Sequence, residues 1–108
     1  MEKELAIKIW NSVFGSNTMW AQDCFGTWMY RDDYGDTETT RIRSVNTKKY
    51  SYGWEVDHIK PKSSFKNESD ADFLNNYELM HWSNNRTKAD LMTFEINNEK
   101  YDVVICDI

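Results

Sequence analysis

Apolar positions at the start of the chain fall at helical spacing. In EKELAIKIWNSVF, Leu5, Ile9, Trp10 and Val13 stand at i, i+4, i+5 and i+8, the stripe of an amphipathic helix that ends near Gly15. Beyond it the pattern shortens. FGTWMYRDDYGD predicts a short strand entering a glycine-containing turn, and residues 36 to 52 are polar enough for a long loop or an irregular hairpin. YGWEV predicts a strand with Trp54 and Val56 on one face, and NNYELMH a second with Tyr77 and Leu79 on one face. Ser83 is placed to cap a helix over about 84 to 92, its hydroxyl accepting an early backbone N–H. Finally, TFEI and EKYDVVI are strand-like runs around Asn97 and Asn98, a pair that tolerates positive φ and so favours a tight hairpin. The central order is strand, loop, strand, helix.

Length and composition narrow what this order can build. A chain of 108 residues holds one core, and five Trp, six Tyr and five Phe can fill it although 29% of residues are charged. Cys24 and Cys106 form no CxxC pair, so neither a disulfide framework nor a cysteine-rich zinc site is expected, and both are expected as small core residues in a reducing compartment. The start, MEKELAIKIW, lacks the features of a signal peptide, and no apolar run reaches membrane-spanning length. A soluble, cytoplasmic chain without a membrane partner is expected.

Charge changes the picture locally. The net charge of −5 argues against a protein that coats nucleic acid by bulk electrostatics. Between Arg41 and Lys62, however, six bases face two acids, leaving this segment at +4 and the rest at −9. That basic stretch leads directly into Asp57 and His58. Taken singly, Asp57 as a turn cap, His58 as a satisfied core histidine and Asn76 as an Asx-turn residue are each the better reading.

As an ordered set, VDHIKPKS followed by NNYELMHWSNNRTK resembles the HNH endonuclease family, whose ββα-metal motif carries D-H, then N, then N-x-x-K at these intervals. The resemblance covers about residues 53 to 89 and extends to the HNH domain of CRISPR RNA-guided nucleases. It implies an α+β domain spanning residues 1 to 108, with a ββα-metal (His-Me finger) core at about 53 to 92, an N-terminal helix and a C-terminal hairpin. It also implies metal-dependent phosphodiester hydrolysis, with DNA the expected substrate and products ending in 5′-phosphate and 3′-hydroxyl.

The residue roles follow from the resemblance. His58 is the general base, since a neutral imidazole takes a proton from water near neutral pH. Asn76 holds that ring. Asp57 and Asn85 bind one divalent cation through oxygen, which suits Mg²⁺ or Mn²⁺ better than Zn²⁺. His81 and Asn84 stand where many relatives carry a pair of zinc-binding cysteines, so no structural zinc is expected. For His81 two readings stand, an auxiliary metal ligand and a structural residue of the strand-helix junction, the latter favoured. Lys60, Lys62, Lys88, Arg41 and Arg43 are candidate phosphate contacts, with Lys48 and Lys49 beside them, while Arg86 is as readily a surface charge. One geometric demand stands out: Asp57 and His58, neighbours in a strand, must serve one phosphate, which a regular strand opposes. The competing class is a catalytically weak HNH-fold regulator, phage-type, whose acidic surface engages a protein partner; a toxin or restriction-type nuclease is a third.

Overall fold

The first helix, α1 (Lys3–Phe14), buries Ala6, Ile9 and Trp10. Leu5 and Val13, expected on the buried stripe, are instead 52% and 53% exposed. Trp10 turns the helix this way, because its indole donates to the Thr18 carbonyl at 2.7 Å and its ring packs 5.0 Å from that of Trp54. Ala6 then faces inward in place of Leu5. The helix ends as expected at Gly15, whose φ of 101° lies outside the range that other residues adopt easily.

These features come from a computed structural model that describes residues 1–45, 47–59, 66–67, 76–89 and 93–102, residue 102 by its backbone alone. After α1 come β1 (Trp20–Gln22), β2 (Trp28–Tyr30), a 3-10 turn (Arg31–Asp33), β3 (Thr40–Arg41), β4 (Tyr50–Ser51), β5 (Trp54–His58), β6 (Tyr77–His81), α2 (Trp82–Lys88), β7 (Thr93–Ile96) and β8 (Glu99–Asp102). Among the described residues the strands pair antiparallel in sequence order as four two-stranded ribbons. The fold is α+β. Among the described residues no helix is long and apolar enough to cross a membrane.

Residues 36 to 52 resolve the two options left by sequence in favour of the irregular hairpin, since β3 pairs with β4 in the register Thr40–Ser51 and Arg41–Tyr50. The C-terminal hairpin forms where Asn97 and Asn98 predict it, with φ of 54° and 66°. It packs onto the turn after β1 through Phe25, whose ring lies 4.8 Å from Tyr101 and 5.7 Å from Phe94.

The main core gathers Ala6, Ile9, Trp10, Ala21, Met29, Trp54 and Leu79, with Phe14, Tyr34, Val56 and Tyr77 against it. One face of the β5–β6 ribbon thus closes on α1 and the β1–β2 ribbon. Trp54 is fully buried and its indole donates to the Arg31 carbonyl at 2.9 Å, so its one polar atom is satisfied. Cys24, expected in the core, belongs to an exposed residue; Cys106 lies outside the described residues.

Gly53, just before β5, is required by close approach. A Cβ there would lie 1.6 Å from the Asp36 carbonyl oxygen. That segment cannot easily retreat, because Gly35 donates to the Trp54 carbonyl at 2.9 Å and Asp36 to the Asp33 carbonyl at 3.0 Å. Gly53→Ala is therefore expected to lower stability by about 3 kcal/mol, the upper end of overpacking costs. An unchanged midpoint in urea denaturation would contradict this.

Candidate functional site

β5 and β6 run in the register Trp54–His81, Glu55–Met80, Val56–Leu79, Asp57–Glu78 and His58–Tyr77. Strand alternation places Trp54, Val56 and His58 on the core face and Glu55 and Asp57 on the other. The second face is covered by α2. Lys88 Nζ donates to Asp57 Oδ2 at 2.6 Å and to the His58 carbonyl at 2.9 Å. One turn earlier Asn85 Nδ2 donates to Glu55 Oε1 at 3.3 Å. Residues i and i+3 of a helix thus meet residues i and i+2 of a strand, as their two periods allow.

The electrostatics of this face are set by burial. It pushes the Asp57 carboxyl above its ordinary value, while the bond and charge of Lys88 pull in the opposite direction. Glu78, across the ribbon, is raised by burial and then by the Asp23 carboxylate. The Cys24 sulfur turns in against Glu78; desolvation, with Glu78 and Asp23 adding negative charge, pushes the thiol up to about 12. It stays protonated at neutral pH.

Asn85 carries the feature most relevant to a cation. Its Nδ2 is committed to a carboxylate, and its Oδ1 is buried and accepts no hydrogen bond among the described residues. A carbonyl oxygen of this kind is a hard donor of the type that Mg²⁺ and Mn²⁺ take, and the Glu55 and Asp57 carboxylates share its face. Three His, Cys, Asp or Glu side chains do not converge anywhere among the described residues. A cation on this face would find at most two such side chains, so the Asn85 amide, water and substrate would have to complete its shell.

His58 lies apart from this face. The His58 ring is 5.4 Å from that of Tyr77, which packs on the core, and β5 keeps its pairing through His58. Asn76 is fully buried at the entry to β6, where its carbonyl accepts from Ile59 N at 2.8 Å. The structure brings Asp57, Asn85 and Lys88 together and leaves His58 on the opposite side of the strand from Asp57. The single-sided arrangement expected of the D-H pair is not what the regular strand provides.

A hydrogen-bond network holds the strand-helix junction. His81 Nε2 lies 2.8 Å from the Ser51 carbonyl, an atom that only accepts, and His81 Nδ1 accepts from Ser83 N at 3.1 Å. The neutral Nε2–H tautomer satisfies both. His81 is thus the cap of α2, a role that sequence assigns to Ser83; the helix starts at Trp82 and stops at Lys88, short of Met92, because Ala89 turns to a φ of 43°. Asn84 Nδ2 donates to Asp23 Oδ2 and Thr27 Oγ1, both at 2.9 Å. Asp23 Oδ2 also accepts from His81 N at 3.1 Å, and its Oδ1 holds the turn through Phe25 N and Thr27 N.

Of the candidate phosphate contacts, Arg41 and Lys88 are committed inside the protein. Arg41 forms a two-point pair with Asp33, at 2.7 and 2.8 Å, and lies over the Tyr30 ring. Lys88 is only 3% exposed, its ammonium turned to Asp57. Arg43 sits over the Trp28 ring at 4.2 Å, and Lys48 and Lys49 are exposed. Arg86 is mostly exposed, 3.9 Å from Glu55 and 5.3 Å above Trp82. Lys60 and Lys62 lie outside the described residues. Sequence reasoning passed over Asp23, Glu55 and Glu78. The Asp23–Gly26 spacing does signal a turn, but the bonds from Asp23 to residues 81 and 84 have no local signature. Compared with known protein families, curated proteins and solved structures, the chain finds no match in any of the three.

Proposed function

We propose that the chain is a metal-dependent HNH-type endonuclease with a ββα-metal core formed by β5, β6 and α2, acting on phosphodiester bonds with DNA as the expected substrate. The observation that carries this reading is the buried Asn85 Oδ1, accepting no hydrogen bond among the described residues, on the face that holds Glu55 and Asp57. A bound Mg²⁺ or Mn²⁺ would stabilise the charge that develops on the phosphate and on the departing oxygen. Asp57 and Asn85 would hold the cation through oxygen. Lys88 ties the last turn of α2 to the Asp57 carboxylate and to the His58 carbonyl, so it fixes the distance between helix and strand end. His58 takes the proton of the attacking water at a ring nitrogen, and the buried Asn76 positions it.

The second reading, a catalytically weak regulator that binds a protein partner, draws support from the placement of Asp57 and His58 on opposite strand faces. Supercoiled plasmid incubated with the purified chain and Mg²⁺ or Mn²⁺ separates the two. Nicking that disappears in His58→Ala and with chelator supports the nuclease. Full cleavage by His58→Ala in chelator would sink both the metal and the base assignments. Absence of cleavage under every metal tried, with retention of a specific protein in pull-down, supports the regulator.

A further inference from the structure

We infer that a second site, the cavity between the β3–β4 hairpin, the turn before β2 and the start of α2, binds one unpaired base of a nucleic-acid strand. The inference rests on the nuclease reading for the class of ligand, and on the cavity itself for the rest. The cavity is an open cleft of about 480 Å³, a size found for small-molecule sites. Its lining includes the aromatic residues Trp28, Tyr50, Tyr52 and Trp82 together with hydroxyl-bearing residues such as Thr47 and Ser51. Arg43 is also in the lining, and none of the described lining residues is acidic, although the chain carries 18 acids.

Flat apolar walls with scattered hydroxyls suit a ligand that has π-faces and a hydrogen-bonding edge, which describes a nucleobase. The walls are held in advance. Trp82 Nε1 donates to Ser51 Oγ at 2.9 Å, the Tyr52 ring meets Trp20 edge-on at 4.9 Å, and Arg43 lies 4.2 Å over Trp28. Side chains fixed before binding lose little entropy when the ligand arrives.

Charge along the rim favours a strand over a neutral aromatic ligand. No carboxylate occurs in sequence between Glu38 and Glu55, and this span carries Arg41, Arg43, Lys48 and Lys49. Arg41 is paired with Asp33, but Arg43 lines the cavity, and Lys48 and Lys49 are exposed on the same hairpin. A base seated between the rings thus has cations beside it for the flanking phosphates. An intact duplex covers both faces of each base with its neighbours, so the aromatic walls select a base that is unstacked, at a single-stranded segment, a gap or a flipped position.

The test uses the full chain in chelator, so that binding is measured without cleavage. Fluorescence anisotropy follows a labelled thymidine octamer, with a matched blunt duplex, thymidine 5′-monophosphate and a glutamate-rich peptide as competitors. The octamer is expected to bind at least about 10-fold more tightly than the duplex. Tyr50→Ala, at a ring 55% exposed and so tolerated by the fold, is expected to weaken octamer binding by about 5- to 150-fold, with Tyr50→Phe close to the parent. Arg43→Ala should weaken it and lower the salt slope by about one, whereas Lys8→Ala on α1 should leave it unchanged. Unchanged affinity in Tyr50→Ala, equal binding of duplex, or equal competition by the mononucleotide or the acidic peptide each overturns the proposal. Octamer binding without plasmid nicking under either metal ends the nuclease reading and keeps the site; plasmid nicking with octamer affinity indifferent to Tyr50→Ala does the reverse.

Discussion

Lys88→Met is expected to lower stability by about 3–5 kcal/mol, the usual cost of removing one partner from a buried ion pair. Lys88 is 3% exposed and the Asp57 side chain 18%, with 2.6 Å between Nζ and Oδ2, so solvent screens the pair poorly. The substitution keeps most of the side-chain volume but leaves the Asp57 carboxylate without its cation and the His58 carbonyl without its donor. Charge, more than cavity formation, then dominates the loss. Removing both charges together tests that attribution: Lys88→Met with Asp57→Asn should recover part of the stability lost by Lys88→Met alone, giving a coupling of roughly 1–3 kcal/mol in a double-mutant cycle. Chemical denaturation of the four proteins measures it. A phosphate-contacting lysine, the role that sequence assigns to Lys88, would instead leave stability almost unchanged and weaken DNA binding; a loss under about 1 kcal/mol would therefore return Lys88 to the surface.

What sequence discloses here is what local physics determines. Asn97 and Asn98 specify the C-terminal hairpin because two adjacent residues must take positive φ, and the asparagine side chain tolerates it. Trp54 with Val56, and Tyr77 with Leu79, mark the core face of β5 and β6 because strand alternation is strict. What escaped was decided by partners distant in the chain. The rotation of α1 follows from the reach of Trp10 to Thr18 and Trp54, which no helical period contains. His81 displaces Ser83 as the cap because the Ser51 carbonyl, 30 residues away, holds its ring. Arg41 reads as a phosphate contact until Asp33 is seen to accept from both its Nε and its Nη2. Asp23, Glu55 and Glu78 become parts of the site only when strands and helix pack.

Sequence order alone also leaves two asparagines of identical chemistry with different tasks, and the structure gives reason to separate them. Asn85 is partly buried on α2, bonded to Glu55 through its nitrogen, with its oxygen accepting no bond among the described residues. Asn76 is completely buried where β6 begins, next to Tyr77, the residue paired with His58. If the proposed nuclease uses the Asn85 oxygen on a cation, Asn85→Ala should raise the metal concentration needed for half-maximal cleavage, and excess Mn²⁺ should restore part of the rate. Asn76→Ala should leave that concentration nearly unchanged and lower the maximal rate by roughly 10²–10⁴, the contribution of a correctly held general base. Since truncating a buried polar residue also costs stability, each rate must be referred to the folded fraction measured by circular dichroism under the assay conditions. The decisive quantity is the pair of curves of rate against metal concentration. A shift along the metal axis for Asn85→Ala with a drop in plateau for Asn76→Ala separates ligand from positioning residue. Superimposable curves would remove the distinction, and activity retained in the folded fraction of both would reduce the two residues to cap and turn roles.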